Sequence, residues 1–292
     1  MTTRHTAAKH GTTIRVSASI NIFNAEELLA PALASLRPHV DHISVVYQTV
    51  SYWGNPAAKT LLPAIDSALA RGLADDVAQY RPEKFPGDTP KRHEARKRTL
   101  GLDMALARKA THFLSLDTDE FYRPEEFCRA KQAIAAGGFD VTVCRIQDYH
   151  SRPIYQYRDL ARYRDLDLYV PFICRVREGL AFDSTLDFFC AVDPSRRLPF
   201  ARPHVFRPGE LVMHHMTTVR CDRRSLISKF ANAASRPVWQ VEDPRELAGL
   251  VWNFDPRDHS APPVTVVADE FQLGAIRQES GAESSADLQL TY

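Results

Sequence analysis

No apolar run in this 292-residue chain approaches the ~20 positions needed to cross a bilayer, so no membrane span is expected. A charge excess is missing as well: Lys+Arg total 37 against Asp+Glu 36, a formal charge of +1. That balance disfavours both a globally basic nucleic-acid binder and an acidic solubilising protein. Cysteine is scarce and unpatterned. The five residues Cys128, Cys144, Cys174, Cys190 and Cys221 are odd in number, widely spaced and form no C-x-x-C pair. A disulfide framework and a zinc cluster are therefore disfavoured, and buried free thiols are expected. The opening MTTRHTAAKHGTT is polar and has no apolar h-region, so no signal peptide is visible and the cytoplasm is the expected location. What is present is an ordinary globular composition, 44% hydrophobic, 25% charged and 10% aromatic. It rules out wholesale disorder, because the apolar content can offset the entropy of ordering.

The pattern along the chain alternates strand and helix. Ile14–Ile20 and Ile43–Val50 are rich in β-branched residues and read as strands. Between them Ala25–Leu36 reads as a helix with Asn24 as N-cap and Leu28, Leu29, Leu33 and Leu36 on one face. Pro56–Arg71 and Lys91–Ala110 read as further helices, Val77–Tyr80 and Thr111–Leu116 as strands. Val141–Ile146, Phe172–Val176 and Glu210–Met216 continue the strands in a less regular second half. This alternation predicts an α/β fold with a largely parallel, helix-covered sheet, whose ligand site lies beyond the carboxyl ends of its strands. A single domain over residues 14–273 is expected, with an N-terminal segment 1–13 and a tail 274–292 that fray.

Asp117-Thr118-Asp119-Glu120 follows directly on the apolar strand Phe113–Leu116. Three carboxylates within four residues repel one another unless a cation or donors neutralise them. Mg²⁺ or Mn²⁺ takes such oxygen ligands and bridges them to a diphosphate. The competing reading is an acidic turn before a helix that starts at Pro124-Glu125-Glu126. A second Asp-x-Asp, Asp165 and Asp167, has no preceding apolar strand and reads as a solvated charged face.

Residues 81–110 carry nine Lys/Arg against four acids, a local charge of +5. Ala95, Leu102 and Ala105 mark the buried stripe of the helix, and the spacing puts Arg98 on or near it. An unpaired guanidinium is costly to bury, so Arg98 is expected to meet Asp117, Asp119 or a phosphate. Arg92, Arg96 and Lys97 are expected to face water. Further on, His214 and His215 in VMHHMTT point to opposite faces if they lie in a strand, so at most one reaches a given site. A neutral imidazole can complete a carboxylate metal site. Arg220 and Lys229 are candidates to pair with a diphosphate. Tyr52, Trp53, Trp239 and Trp252 can stack on a sugar or a base, or simply pack.

Taken together, SASINIFNAEELLAPALASL, THFLSLDTDEFY and VMHHMTTVR with SLISKF resemble a GT-A-type nucleotide-sugar glycosyltransferase of the family 2 style. The resemblance covers roughly residues 14–230 and is most specific in its middle segment. It implies a Rossmann-like nucleotide half, residues 14–122, and an acceptor half, residues 123–273. Mn²⁺ or Mg²⁺ would sit on Asp117, Asp119 and His214, with Asp117 also at the donor diphosphate. Phe23 would lie against the nucleotide base, with Arg98 and Lys229 at the leaving group. The family usually has an Asp after its second strand, where this chain reads VVYQTVS; Gln48 takes that place in base recognition. A UDP-sugar is the leading donor, and the acceptor is a protein, a glycan or a nucleic-acid base. An inverting enzyme needs a carboxylate base, and Asp187 is chosen over Asp183 because its aromatic neighbours would desolvate it.

Two other readings compete. A sugar-nucleotide pyrophosphorylase also binds carboxylate-held Mg²⁺, but it wants a Gly-rich phosphate loop, and INIFNAEELL has no glycine. A non-catalytic nucleic-acid-binding module would use the basic helix 91–110 and bind with steep salt sensitivity.

Overall fold

The computed structural model describes residues 13–83, 85–158, 169–233, 243–258 and 261–276. Most of the N-terminal segment, most of the tail after 274, the Asp165/Asp167 pair and Trp239 lie outside the described residues.

Four strands make the first half of the main sheet: β1 (Val16–Ile22), β2 (His42–Tyr47), β3 (Asp76–Gln79) and β4 (His112–Asp117). They run parallel in the spatial order β3-β2-β1-β4. All seven residues of β1 are buried, as expected of a strand covered on both faces. The covering helices are α1 (Glu26–Leu36), α2 (Leu61–Ala70) and α3 (Pro90–Ala107). This is the Rossmann-like half, with its crossover helices on the two faces.

The second half is mixed. It contains β5 (Glu120–Phe121), α4 (Pro124–Gly137), β6 (Val141–Asp148), β7 (Tyr155–Tyr157), β8 (Tyr169–Arg175), β9 (Pro203–Val205) and β10 (Val212–His215). The sheet continues from β4 through β8, β6 and β10 to β5, with β9 beside β6. β8 is antiparallel to both β4 and β6, whereas β10 runs parallel to β6. Helices α5 (Arg223–Ala231) and α6 (Pro244–Trp252) pack together, and β11 (Val264–Val266) pairs with β7 in a small separate sheet. No helix among the described residues is long and apolar enough to cross a membrane.

Local chemistry explains where the elements begin. Ala25, not Asn24, stands at the N-cap of α1, at φ 65° and with no side-chain cap. α2 begins at Leu61 rather than near 56, because the preceding loop closes on itself: Ser51 N donates to Asn55 O and Ala57 N to Thr49 O, both at 2.8 Å. α3 is properly capped, its Thr89 side chain accepting from Arg92 N. α3 also lies very close to β1. A Cβ at Gly101 would stand 2.3 Å from Ser19 Oγ, so only glycine fits there.

The core has two main layers. On one face Leu28, Leu29 and Leu33 of α1 meet Ile20, Ile43, Phe127 and Phe172; on the other Ala95, Leu102 and Ala105 of α3 meet Phe113, Val143 and Phe182. The cysteines are all free; Cys144 and Cys174 are buried and Cys128 is exposed, in contrast to the uniformly buried thiols expected.

Candidate active site

The end of β4 places Asp117 beside Asn21, at the end of β1. Thr118 and Asp119 then turn the chain, and β5 returns antiparallel to β10, with His214 opposite Phe121 and His215 opposite Glu120. The acidic motif is therefore split by the turn. Asp117 and Glu120 share one set of cations and Asp119 meets another.

Asp117 Oδ2 accepts from Arg98 Nη2 at 2.9 Å and from Arg196 Nη2 at 2.8 Å. Arg196 also pairs with Glu120. Arg98 comes from α3; Arg196 comes from a single helical turn, Pro194–Arg196, capped by Asp193. Asp119 Oδ2 accepts from Arg220 Nη2 at 2.8 Å and from Lys229 Nζ at 3.1 Å. The Arg220 side chain is wholly buried and is fixed further by Met216 O and Val219 O. Lys229, on the last turn of α5, has a quarter of its side chain exposed. Asp222 caps that helix by accepting from Ser225 N at 2.7 Å.

His215 completes the cluster. Its Nε2 lies 3.6 Å from Asp119 Oδ1 and its Nδ1 2.7 Å from Asp148 Oδ1, at the end of β6. Burial alone would lower its pKa, but Asp119 and Asp148 outweigh that and raise it. Burial pushes Asp117 and Asp119 upward, yet both stay below the ordinary carboxylate range. Arg98 and Arg196 hold Asp117 down; Lys229, His215 and Arg220 hold Asp119 down. Glu120 moves the other way, raised by burial despite Arg196.

These side chains do not suit a divalent cation. The four carboxylates of the cluster, Asp117, Asp119, Glu120 and Asp148, already face Arg98, Arg196, Arg220, Lys229 and His215. An added ion would meet no surplus negative charge and several fixed positive ones. No group of three or more His, Cys, Asp or Glu among the described residues is placed to hold a metal ion. Two of the residues expected at a metal, Asp117 and Asp119, are thus paired with cations of the protein itself.

His214 lies apart from these carboxylates. It points into the core, with Nδ1 2.8 Å from the Tyr149 hydroxyl and its ring edge-on to Phe271. Burial lowers its pKa to about 4, so it is neutral, and its buried Nε2 has no partner among the described residues. The imidazole at the acidic motif belongs to its neighbour. Asp187 is exposed, so the aromatic desolvation expected of it is absent. Phe188 and Phe189 stack with Phe200 instead.

Phe23 and Gln48 stand one residue beyond β1 and β2, both buried at the carboxyl edge of the parallel half. Gln48 N donates to Ile22 O, tying the two strand ends together. Nearby, Trp53 is exposed and its indole N–H reaches Ala233 O just beyond α5.

The basic helix is not an open stripe. Lys97, expected in water, is buried against Glu94 at 3.1 Å. Arg96 is bound to Asp88, Lys91 to Asp193 and Arg108 to Asp76. Sequence reasoning did not single out Arg196 or Asp148. Asp193-Pro-Ser-Arg196 has the composition of a capped turn, but nothing in it announces a partner 79 residues away.

No protein-family model matches the sequence, and no curated protein matches it. Among solved structures the chain is similar to S. aureus TarS, at 13% identity and TM-score 0.44, over 82% of this chain and 43% of that one. It is similar to S. aureus TarS 1-349 in complex with UDP-GlcNAc, at 13% identity and TM-score 0.43, over 82% and 70%. A third similar structure is GalNAc-T7 with UDP, GalNAc and Mn2+, at 9% identity and TM-score 0.43, over 82% and 55%. This chain spans less than half of the first of these.

Proposed function

We propose that the protein is a GT-A-type glycosyltransferase that moves a hexosyl or pentosyl group from a nucleotide-sugar, foremost a UDP-sugar, to a protein, a glycan or a nucleic-acid base. One observation carries the reading. The ends of β1, β2 and β4 bring Phe23, Gln48 and Asp117 to one edge of a parallel sheet, beside Arg98, Arg196 and Lys229. That edge is where an open parallel sheet binds nucleotides, and the cations suit a diphosphate. The three segments that resemble the family supply β1 with α1, β4 with the acidic turn, and β10 with α5. The same residues thus support the reading in sequence and in space.

In the reaction, the bond between the sugar's anomeric carbon and the diphosphate oxygen breaks, and its electron pair stays on the diphosphate. The acceptor's oxygen or nitrogen bonds to that carbon and loses its proton. Fixed positive charge near the departing diphosphate stabilises the transition state without reorganisation. Asp117 and Asp119 hold that charge in place rather than touching the sugar. Asp187, exposed to solvent, is the carboxylate we assign to receive the acceptor's proton.

The test is a thermal-shift screen of nucleoside diphosphates and nucleotide-sugars, followed by product analysis of any hit. A ligand at 100 times its dissociation constant adds ~2.7 kcal/mol of stability. We expect one nucleotide and its sugar conjugates to raise the melting temperature. A flat response to the whole panel, with and without Mn²⁺, overturns the reading.

A further inference from the structure

We infer that the donor diphosphate is held by Lys229, working with Arg98 and Arg196, and that it binds without a divalent cation. The inference rests on the glycosyltransferase reading and concerns the same site. It starts from the surplus of cations around Asp119. Arg220 is wholly buried and bonds Asp119 at 2.8 Å, which is enough to neutralise it, and His215 faces its other oxygen. Lys229 is therefore a second permanent cation on one carboxylate oxygen, and it is the more exposed of the two. It can turn to a ligand without leaving a buried charge unpaired. Arg220 cannot, because it is wholly buried and its Nη1 is committed to Met216 O and Val219 O.

The other half of the cluster repeats the arrangement. Asp117 has a third of its side chain exposed and is held by two guanidinium groups. Arg98 is fixed by Ser115 Oγ at 3.1 Å as well, and its buried Nε has no partner among the described residues. The acidic turn thus carries its countercharges within the protein, and it sets out positive charge at the strand ends where a diphosphate would lie. A metal ion brought in with the nucleotide would have to displace arginine or lysine from these carboxylates first. Positive charge on the leaving group would come from side chains throughout.

Isothermal titration of UDP and of inorganic pyrophosphate into the full chain tests this, in EDTA and again in MnCl₂. We expect both to bind in EDTA, with UDP affinity changing less than about threefold on adding Mn²⁺. Lys229→Met should weaken UDP binding roughly tenfold to a hundredfold, as loss of one charge-assisted hydrogen bond does, while Lys229→Arg keeps it within a few-fold. Circular dichroism melts of both variants confirm the fold. UDP binding that requires Mn²⁺ overturns the inference and leaves the glycosyltransferase reading standing. So does wild-type affinity in a folded Lys229→Met variant. If the nucleotide panel fails under both conditions, the functional reading falls as well.

Discussion

The two edges of the parallel sheet carry similar side chains and treat them in opposite ways. At the edge where the strands begin, Ser17 Oγ meets His42 Nδ1 at 3.1 Å and His42 Nε2 meets Asp76 Oδ2 at 3.0 Å. The order of groups is that of a hydrolytic triad, but Ser17 is buried within β1 and Asp76 is also held by Arg108, more than half exposed. It is a polar seam across three strands, closed by a pair that water screens. At the edge where the strands end, Arg98, Arg196 and Arg220 are nearly sealed from water. Exposed pairs contribute ~0–1 kcal/mol, whereas buried ones seldom improve on apolar packing of the same size. The first edge therefore needs no function to explain it. The second keeps charge where hydrophobic residues would serve stability as well, and that points to use.

The sharpest way to break this comparison is Arg220→Met. It removes the wholly buried partner of Asp119 but leaves Lys229 and His215, and should cost ~2–3 kcal/mol in urea denaturation; a cost below about 1 kcal/mol would put the two edges on the same footing. Gly101→Ala comes next. Its new methyl collides with Ser19, and a loss of ~1–3 kcal/mol in melting is expected, partly recovered by adding Ser19→Gly. A smaller effect is expected from pH. His150 and His214 have folded pKa values of about 4 from burial, so the unfolded chain binds their protons first. Stability should fall as pH drops from about 6.5 toward 4. Asp117 and Asp119, held low, contribute fully above about pH 4 and lose that contribution below it. His214→Gln should make the upper limb shallower and leave the lower one unchanged, measured by denaturation midpoints across pH. Smallest is Arg108→Ala, within ~1 kcal/mol and vanishing in high salt, because its pair with Asp76 is exposed.

How much of this could be read from the sequence depends on how locally each feature is encoded. β1, β2 and β4 announce themselves through β-branched and apolar runs, and the acidic turn through its position directly after β4. Arg98 is legible because a cation on a buried stripe demands a partner. Lys97, one residue along, departs from that logic: helical spacing treats the face toward Glu94 as solvent, yet Lys97 is buried there. Arg196 and Asp148 arrive by tertiary folding from turns and strand ends with no periodic signal. The α1 start was misplaced for another reason, since propensity favours Asn at a cap and offers no hint of a left-handed Ala25.

His214 and His215 differ only in which side of β10 they occupy, and pairing decides that. β10 runs beside β6 with His215 opposite Asp148, and the turn at Arg207–Glu210 sets where the strand begins. Lengthening that turn by one residue would put His214 opposite Asp148 and Met213 in the place of His214, while changing neither imidazole. The charge at the acidic turn is thus written partly in loop length, a quantity that substitution scans leave untouched and insertions reach at once.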